Sequence, residues 1–116
     1  MAGCTTPMNT GVQEGWSERE QAVAREAFER AYTRAIDQLV LAVRTRSASL
    51  GSADSIWALH DFLSIQRHTI EGRFDFSLDG ILFVFASLVK EQLLELEELD
   101  GLNADKLAKV SAMARF

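Results

Sequence analysis

The sequence predicts an all-α protein in which one long N-terminal helix precedes a compact group of shorter helices. Three observations predict it. Apolar residues recur at steps of three and four along most of the chain, the only proline, Pro7, precedes all of these stretches, and no segment alternates with period two as a half-buried strand would.

Residues 1–16 hold Pro7, the single cysteine Cys4 and several small or polar residues, and they read as a flexible leader. Residues 17–116 read as one helical domain. Ser17 followed by Glu20 has the capping-box spacing, in which each side chain satisfies a backbone N–H at a helix start. Ala24, Phe28, Ala31, Tyr32, Ala35, Ile36, Leu39, Val40 and Val43 then supply one stripe, and the pattern persists to Leu50, with Gly51 as its stop. Ser52 or Asp54 caps a second helix to about Glu71, with Ile56, Leu59, Leu63 and Ile70 as its core stripe and Gly72 as its end. Ser77 or Asp79 caps a third helix through the apolar run Ile81 to Val89, which Leu93, Leu94 and Leu96 prolong beyond ordinary strand length. Asp100 and Gly101 mark a turn, and Asn103 caps a last helix carrying Leu107, Val110 and Met113.

A helix from Ser17 to Leu50 spans roughly 50 Å at 1.5 Å per residue, against a radius of gyration near ~13 Å for a globule of this length. Its stripe overhangs the shorter elements, and a second copy of the chain is the economical cover, so the sequence predicts a homodimer.

Composition narrows the function. Twelve basic against seventeen acidic residues leave a formal net charge of −5, which opposes general affinity for nucleic acid phosphates. At 47% hydrophobic and 25% charged, the chain is too apolar for disorder, and its longest apolar run is too short to cross a bilayer. One cysteine excludes an intrachain disulfide and a multi-cysteine zinc site. Neither a Gly-x-Ser-x-Gly elbow nor a Gly-rich phosphate loop is present, so no catalytic residue and no cofactor are assigned. The doublet His60 and Asp61 lacks the further His ligands of a metal-dependent phosphohydrolase. His60 and His68 stand eight residues apart, too far for helical metal ligands one turn apart, and no metal is assigned.

The informative stretch is Trp57 to Arg67, "WALHDFLSIQR". At about 100° per residue, Trp57, His60, Asp61, Ser64, Arg67 and His68 fall within roughly a 120° arc outside the second helix's core stripe. Trp and Arg combine contact area with directed donors, so the face suits recognition of a partner. The plainer alternative has Trp57 packed against another element and Asp61 ion-paired with Arg67. The acids Glu91, Glu95, Glu97, Glu98 and Asp100 read as a solvated helix face or turn. Lys106, Lys109 and Arg115 read either as a complement to a helix dipole or as a small basic contact site.

The strings "WALHDFLSIQRHTIEGRFD", "ILFVFASLV" and "ELDGLNADKLAKVSAMA" resemble, in this order and spacing, the fluorescence recovery protein family of cyanobacteria, over roughly Phe28 to the C-terminus. The resemblance implies an all-helical dimer without enzymatic chemistry. Such a protein binds the photoactivated orange carotenoid protein, through that partner's C-terminal domain, and speeds its red-to-orange return, ending non-photochemical quenching at the phycobilisome. It also implies a cytoplasmic location, with attachment to the cytoplasmic face of the thylakoid membrane as a further option. Carried residue by residue, it assigns Trp57, His60, Asp61 and Arg67 to a patch near the dimer interface, and Phe83 and Lys109 to partner contact in the head region. From the residues alone Phe83 reads as a plain core residue of an apolar helix; only the resemblance lifts it to a contact. The alternative is a helical homodimeric adaptor of a related family that binds another carotenoid-protein C-terminal-domain-like partner.

Overall fold

Ser17 starts the first helix as its spacing predicts: its Oγ accepts the Glu20 amide at 3.0 Å, and Glu20 Oε1 accepts the Ser17 amide at 3.1 Å. The computed structural model describes residues 15–116, so Cys4, Pro7 and most of the expected leader lie outside the described residues. Four α-helices follow in order: α1 (Glu18–Ala48), α2 (Ala53–Arg73), α3 (Ile81–Lys90) and, after a 3₁₀ turn (Leu96–Leu99), α4 (Ala104–Ala114). No strand occurs among the described residues. The all-α expectation holds.

Trp16 corrects the leader's boundary. It is only 7% exposed and belongs to the core, because its ring lies 4.6 Å from the ammonium of Lys106 in α4.

α1 is 31 residues long, about 46 Å at the usual rise, and the chain has a radius of gyration of 18.4 Å with extents of 65 × 33 × 19 Å. The long helix does overhang. Its buried residues are Glu20, Ala24, Ala27 and Ala31, all in its N-terminal half, where small side chains leave room for Ile81, Phe85, Leu88, Leu99 and Val110 in one core cluster. We call this part, with α3, the 3₁₀ turn and α4, the head. The C-terminal half of α1 and α2 form a hairpin arm, and α2 has no buried residue at all.

α2 is capped by Ser52, whose Oγ accepts the Ser55 amide at 3.2 Å. It runs through Gly72 to Arg73 and stops at Phe74, two residues later than expected from the glycine. The stop is tertiary. Phe74 and Phe76 flank Phe28 of α1 with ring centroids 5.4 and 5.2 Å apart, and Arg25 stacks on Phe76 at 4.2 Å, so this segment is pinned to α1 and cannot continue the helix.

α3 differs at both ends from the sequence expectation. Its N-cap is Gly80, and neither Ser77 nor Asp79 caps it. It ends at Lys90, where Gln92 adopts φ 64°, and the amides of Leu93 and Gln92 return to the carbonyls of Leu88 and Val89 at 2.9 and 3.0 Å. This is the Schellman pairing that closes a helix. Leu93 and Leu94 therefore do not prolong the helix; they are buried because the chain turns back into the core. The expected turn at Asp100 and Gly101 is present, Gly101 at φ 114°, with a Cβ there falling 2.7 Å from Val23 Cγ2 of α1. Asn103 caps α4, its Oδ1 accepting the Lys106 amide at 2.9 Å.

Candidate functional site

α2 carries most of the residues singled out by sequence. Leu59, Phe62, Gln66 and Ile70 form its half-buried inner face, and Arg46 of α1 lies 3.8 Å over the Phe62 ring, closing the hairpin. The outer face is open: Trp57 is 63% exposed, and His60, Asp61, Ser64, Arg67 and His68 are all exposed.

The Asp61–Arg67 ion pair of the plainer alternative does not form within the chain. Six residues along a helix place those side chains too far apart, and each takes a nearer partner. Arg67 Nε donates to Glu71 Oε2 at 3.1 Å, one turn on, while Asp61 Oδ1 lies 3.3 Å from His60 Nδ1. Both pairs are solvent-exposed and weakly held, so Arg67 remains available to another molecule. Between this face and α1 runs an apolar groove lined by Tyr32, Ile36, Leu39, Leu63 and Ile70, with Arg67 and Glu71 at its rim. Ile56, placed in the core stripe by periodicity, is 49% exposed, and Leu63, seven residues on along the same helix face, is also exposed.

Phe83 and Lys109 lie on the head, Phe83 across a shallow cleft from Thr69, Gly72 and Arg73 at the end of α2. Phe83 is 73% exposed, which corrects its core reading from the residues alone. The cause is rotational. Ile81, Phe85 and Leu88 face the core at steps of four and three, and position 83 points about 200° around the helix from position 81, where nothing covers it. Lys109 is exposed on α4.

Two ionic clusters escape sequence reading. Lys106, grouped with Lys109 and Arg115, is buried: its Nζ donates to both oxygens of Glu20 at 3.2 and 3.1 Å and to the Gly15 carbonyl. The amides of Ser17 and Asn103 and the Lys106 ammonium hold the Glu20 carboxyl below its ordinary range, against the opposing effect of burial. Glu98, expected on a solvated acidic face, takes both terminal nitrogens of Arg34 at 2.7 Å each. Those bonds, the Glu95 amide and Arg30 hold its carboxyl down to about 2 despite desolvation, and the Arg34 guanidinium is pushed up in return. No spacing rule marks either pair. Among the described residues, no group of three or more His, Cys, Asp or Glu side chains is arranged to hold a metal ion.

Comparison with known proteins places this arrangement. The family model described as photoprotection regulator fluorescence recovery protein matches residues 16–114. A fluorescence recovery protein from Synechocystis sp. is 44% identical over 101 residues, covering 87% of this chain and 93% of that protein. Among solved structures, the Fremyella diplosiphon fluorescence recovery protein matches with a TM-score of 0.84 at 44% identity, covering 87% of this chain and 99% of that one. The structure of the fluorescence recovery protein from Synechocystis sp. gives a TM-score of 0.84 at 44% identity, over the same shares of the two chains.

Proposed function

Because the chain belongs to the fluorescence recovery protein family, whose members are photoprotection regulators and not enzymes, we propose that it binds the photoactivated orange carotenoid protein and speeds its red-to-orange return. It acts as a homodimer and contacts the partner's C-terminal domain. Light harvesting at the phycobilisome is thereby restored after quenching. The site of action is the cytoplasm, at the cytoplasmic face of the thylakoid membrane; no helix of the described residues is long and apolar enough to cross a membrane.

The observation that carries this reading is the exposure of two large rings on separate parts of one chain, Trp57 on the arm and Phe83 on the head. An exposed indole or phenyl ring gains contact area only when a second macromolecule covers it. Arg67 adds an exposed cation to the arm and Lys109 one to the head. Arg67 makes direct contact, whereas Trp57, His60 and Asp61 shape the surface that presents it. The arm supports the dimer: α2 has no buried residue, and the groove of Tyr32, Ile36, Leu39, Leu63 and Ile70 awaits a matching face of a second copy.

A regulator without chemistry accelerates recovery by binding the transition state between the red and orange forms more tightly than the red form itself. Bridging carotenoid-protein domains that separate on illumination does this, since it raises their effective concentration for re-docking. The test is the dark recovery time of the photoactivated partner with and without this protein. A shortened recovery is expected. An unchanged rate rejects the assignment, and co-elution with an isolated C-terminal-domain homologue but not with the intact carotenoid protein replaces it with the adaptor reading.

A further inference from the structure

α1 belongs to both parts of the molecule. Its last buried residue is Ala31; beyond it the helix leaves the head and enters the arm. Arg34, less than one turn further, sits at that exit. Its Nη1 and Nη2 donate to the two oxygens of Glu98 at 2.7 Å each, and Nη1 also donates to the Leu93 carbonyl at 3.1 Å. Arg30 adds a bond to Glu98 at 3.1 Å, and the Glu95 amide donates to Glu98 at 2.9 Å. All four acceptor positions of one carboxylate are thus filled.

This cluster joins three things: the point where α1 leaves the head, the chain reversal after α3, and the 3₁₀ turn that leads to α4. The Glu98 side chain is 15% exposed and that of Arg34 40%, so solvent reaches the pair from the arginine side only, and a bidentate guanidinium–carboxylate contact fixes direction as well as distance. The apolar core cluster lies on the N-terminal side of this point. Phe74 and Phe76 pin the link from α2 to α1 by non-directional ring packing, and the Arg34–Glu98 pair adds directed bonds where α1 leaves the head.

That angle matters if one partner is held by both parts. Two contact patches reinforce each other only when their spacing is set in advance; otherwise each binds with its own weak affinity and the ordering entropy is spent on association. We propose that Glu98 and Arg34 are positioning residues for partner recognition: their bidentate pair sets the head on the arm so that Phe83 and Lys109 meet the same partner molecule as Arg67. The proposal rests on the functional reading above and adds to it a rigidity requirement located at a pair that touches no partner.

Two measurements test it on the full chain. The first titrates the protein against photoactivated orange carotenoid protein and reads the concentration giving half-maximal acceleration of recovery. Glu98→Gln keeps the side chain's shape, and Arg34→Lys keeps its charge but loses the fork. Each raises the half-maximal concentration about tenfold or more, with the maximal rate reached at saturation little changed and with helix content as in the unaltered protein. Half-maximal concentrations equal to that of the unaltered protein in both variants overturn the proposal. The second measurement needs no partner. Spin labels at Ser64→Cys on the arm and Ala108→Cys on the head, with Cys4→Ser and dilution by unlabelled protein, give a narrow distance distribution that Glu98→Gln broadens. A distribution that stays narrow in Glu98→Gln also overturns it. Should the unaltered protein fail to accelerate recovery, the functional reading falls; a distribution that broadens in Glu98→Gln then upholds the head-setting role, and a narrow one removes it.

Discussion

The Nζ of Lys106 lies 3.1 Å from Oε2 of Glu20, joining α4 to the first turn of α1 across 86 positions of sequence, with both side chains buried. The same ammonium donates to the Gly15 carbonyl and rests over the Trp16 ring, while the Asn103 amide donates to Glu20 at 2.8 Å. One carboxylate thereby caps α1, receives the start of α4 and neutralises a buried lysine.

Removing one partner of such a pair leaves the other charge buried, which costs more than the pair contributes. Lys106→Met is expected to destabilise the protein by about 3 kcal/mol, near the low end for buried pairs because two backbone amides still serve Glu20. Urea unfolding checks this. A loss no larger than that of an exposed lysine would show that Glu20 and Trp16 do not depend on Lys106.

Stability should fall in acid through the carboxylates of Glu98 and Glu20. Both are held below the unfolded value of about 4.3, Glu98 down to about 2 by the Arg34 hydrogen bonds, so the folded chain binds fewer protons than the unfolded one in that window. Their contribution is complete above the unfolded value and is lost as pH falls through the folded one. Urea midpoints should therefore decline from about pH 5 toward pH 2, and Glu98→Gln should flatten the decline. Equal slopes for both proteins would remove Glu98 as a cause.

Gly101 is required twice, by its φ of 114° and by the 2.7 Å approach of its missing Cβ to Val23. Gly101→Ala should cost about 1–3 kcal/mol, measured by thermal or urea unfolding. In a Val23→Ala background the cost should shrink without vanishing, since trimming Val23 relieves the contact and leaves the backbone strain. Equal costs in both backgrounds would assign the whole effect to φ.

Ile56 is half-exposed on the α2 face that also carries Leu63 of the arm's apolar groove, so a charge there costs a single chain little and an interface between copies much. Light scattering of the unaltered protein should give about twice 12.9 kDa. Ile56→Glu should lower the mass toward one chain while helix content stays constant. A single-chain mass for the unaltered protein at micromolar concentration would contradict the dimer.

The sequence on its own determined what depends on near neighbours along the chain. Helix class, the caps at Ser17, Ser52 and Asn103 and the turn at Gly101 follow from spacings of one to four residues, where backbone geometry leaves few alternatives. The family strings were legible there too, and with them the place of Trp57 and Arg67 on one helix.

Tertiary structure alone decided which faces are covered. Phe83 and Val89 share an equally apolar helix, and only the placement of α1 and α4 determines that one is out and the other half-buried. It also ended α2 past Gly72 and α3 before Leu93, because pinned phenylalanines and a returning backbone outweighed local pattern. Trp16, Lys106 and Glu98 read as leader, basic tail and solvated acid; each is instead held by residues tens of positions away. Burial and ion pairing are set by distances in space between segments remote in the chain, and no periodicity within one segment encodes them.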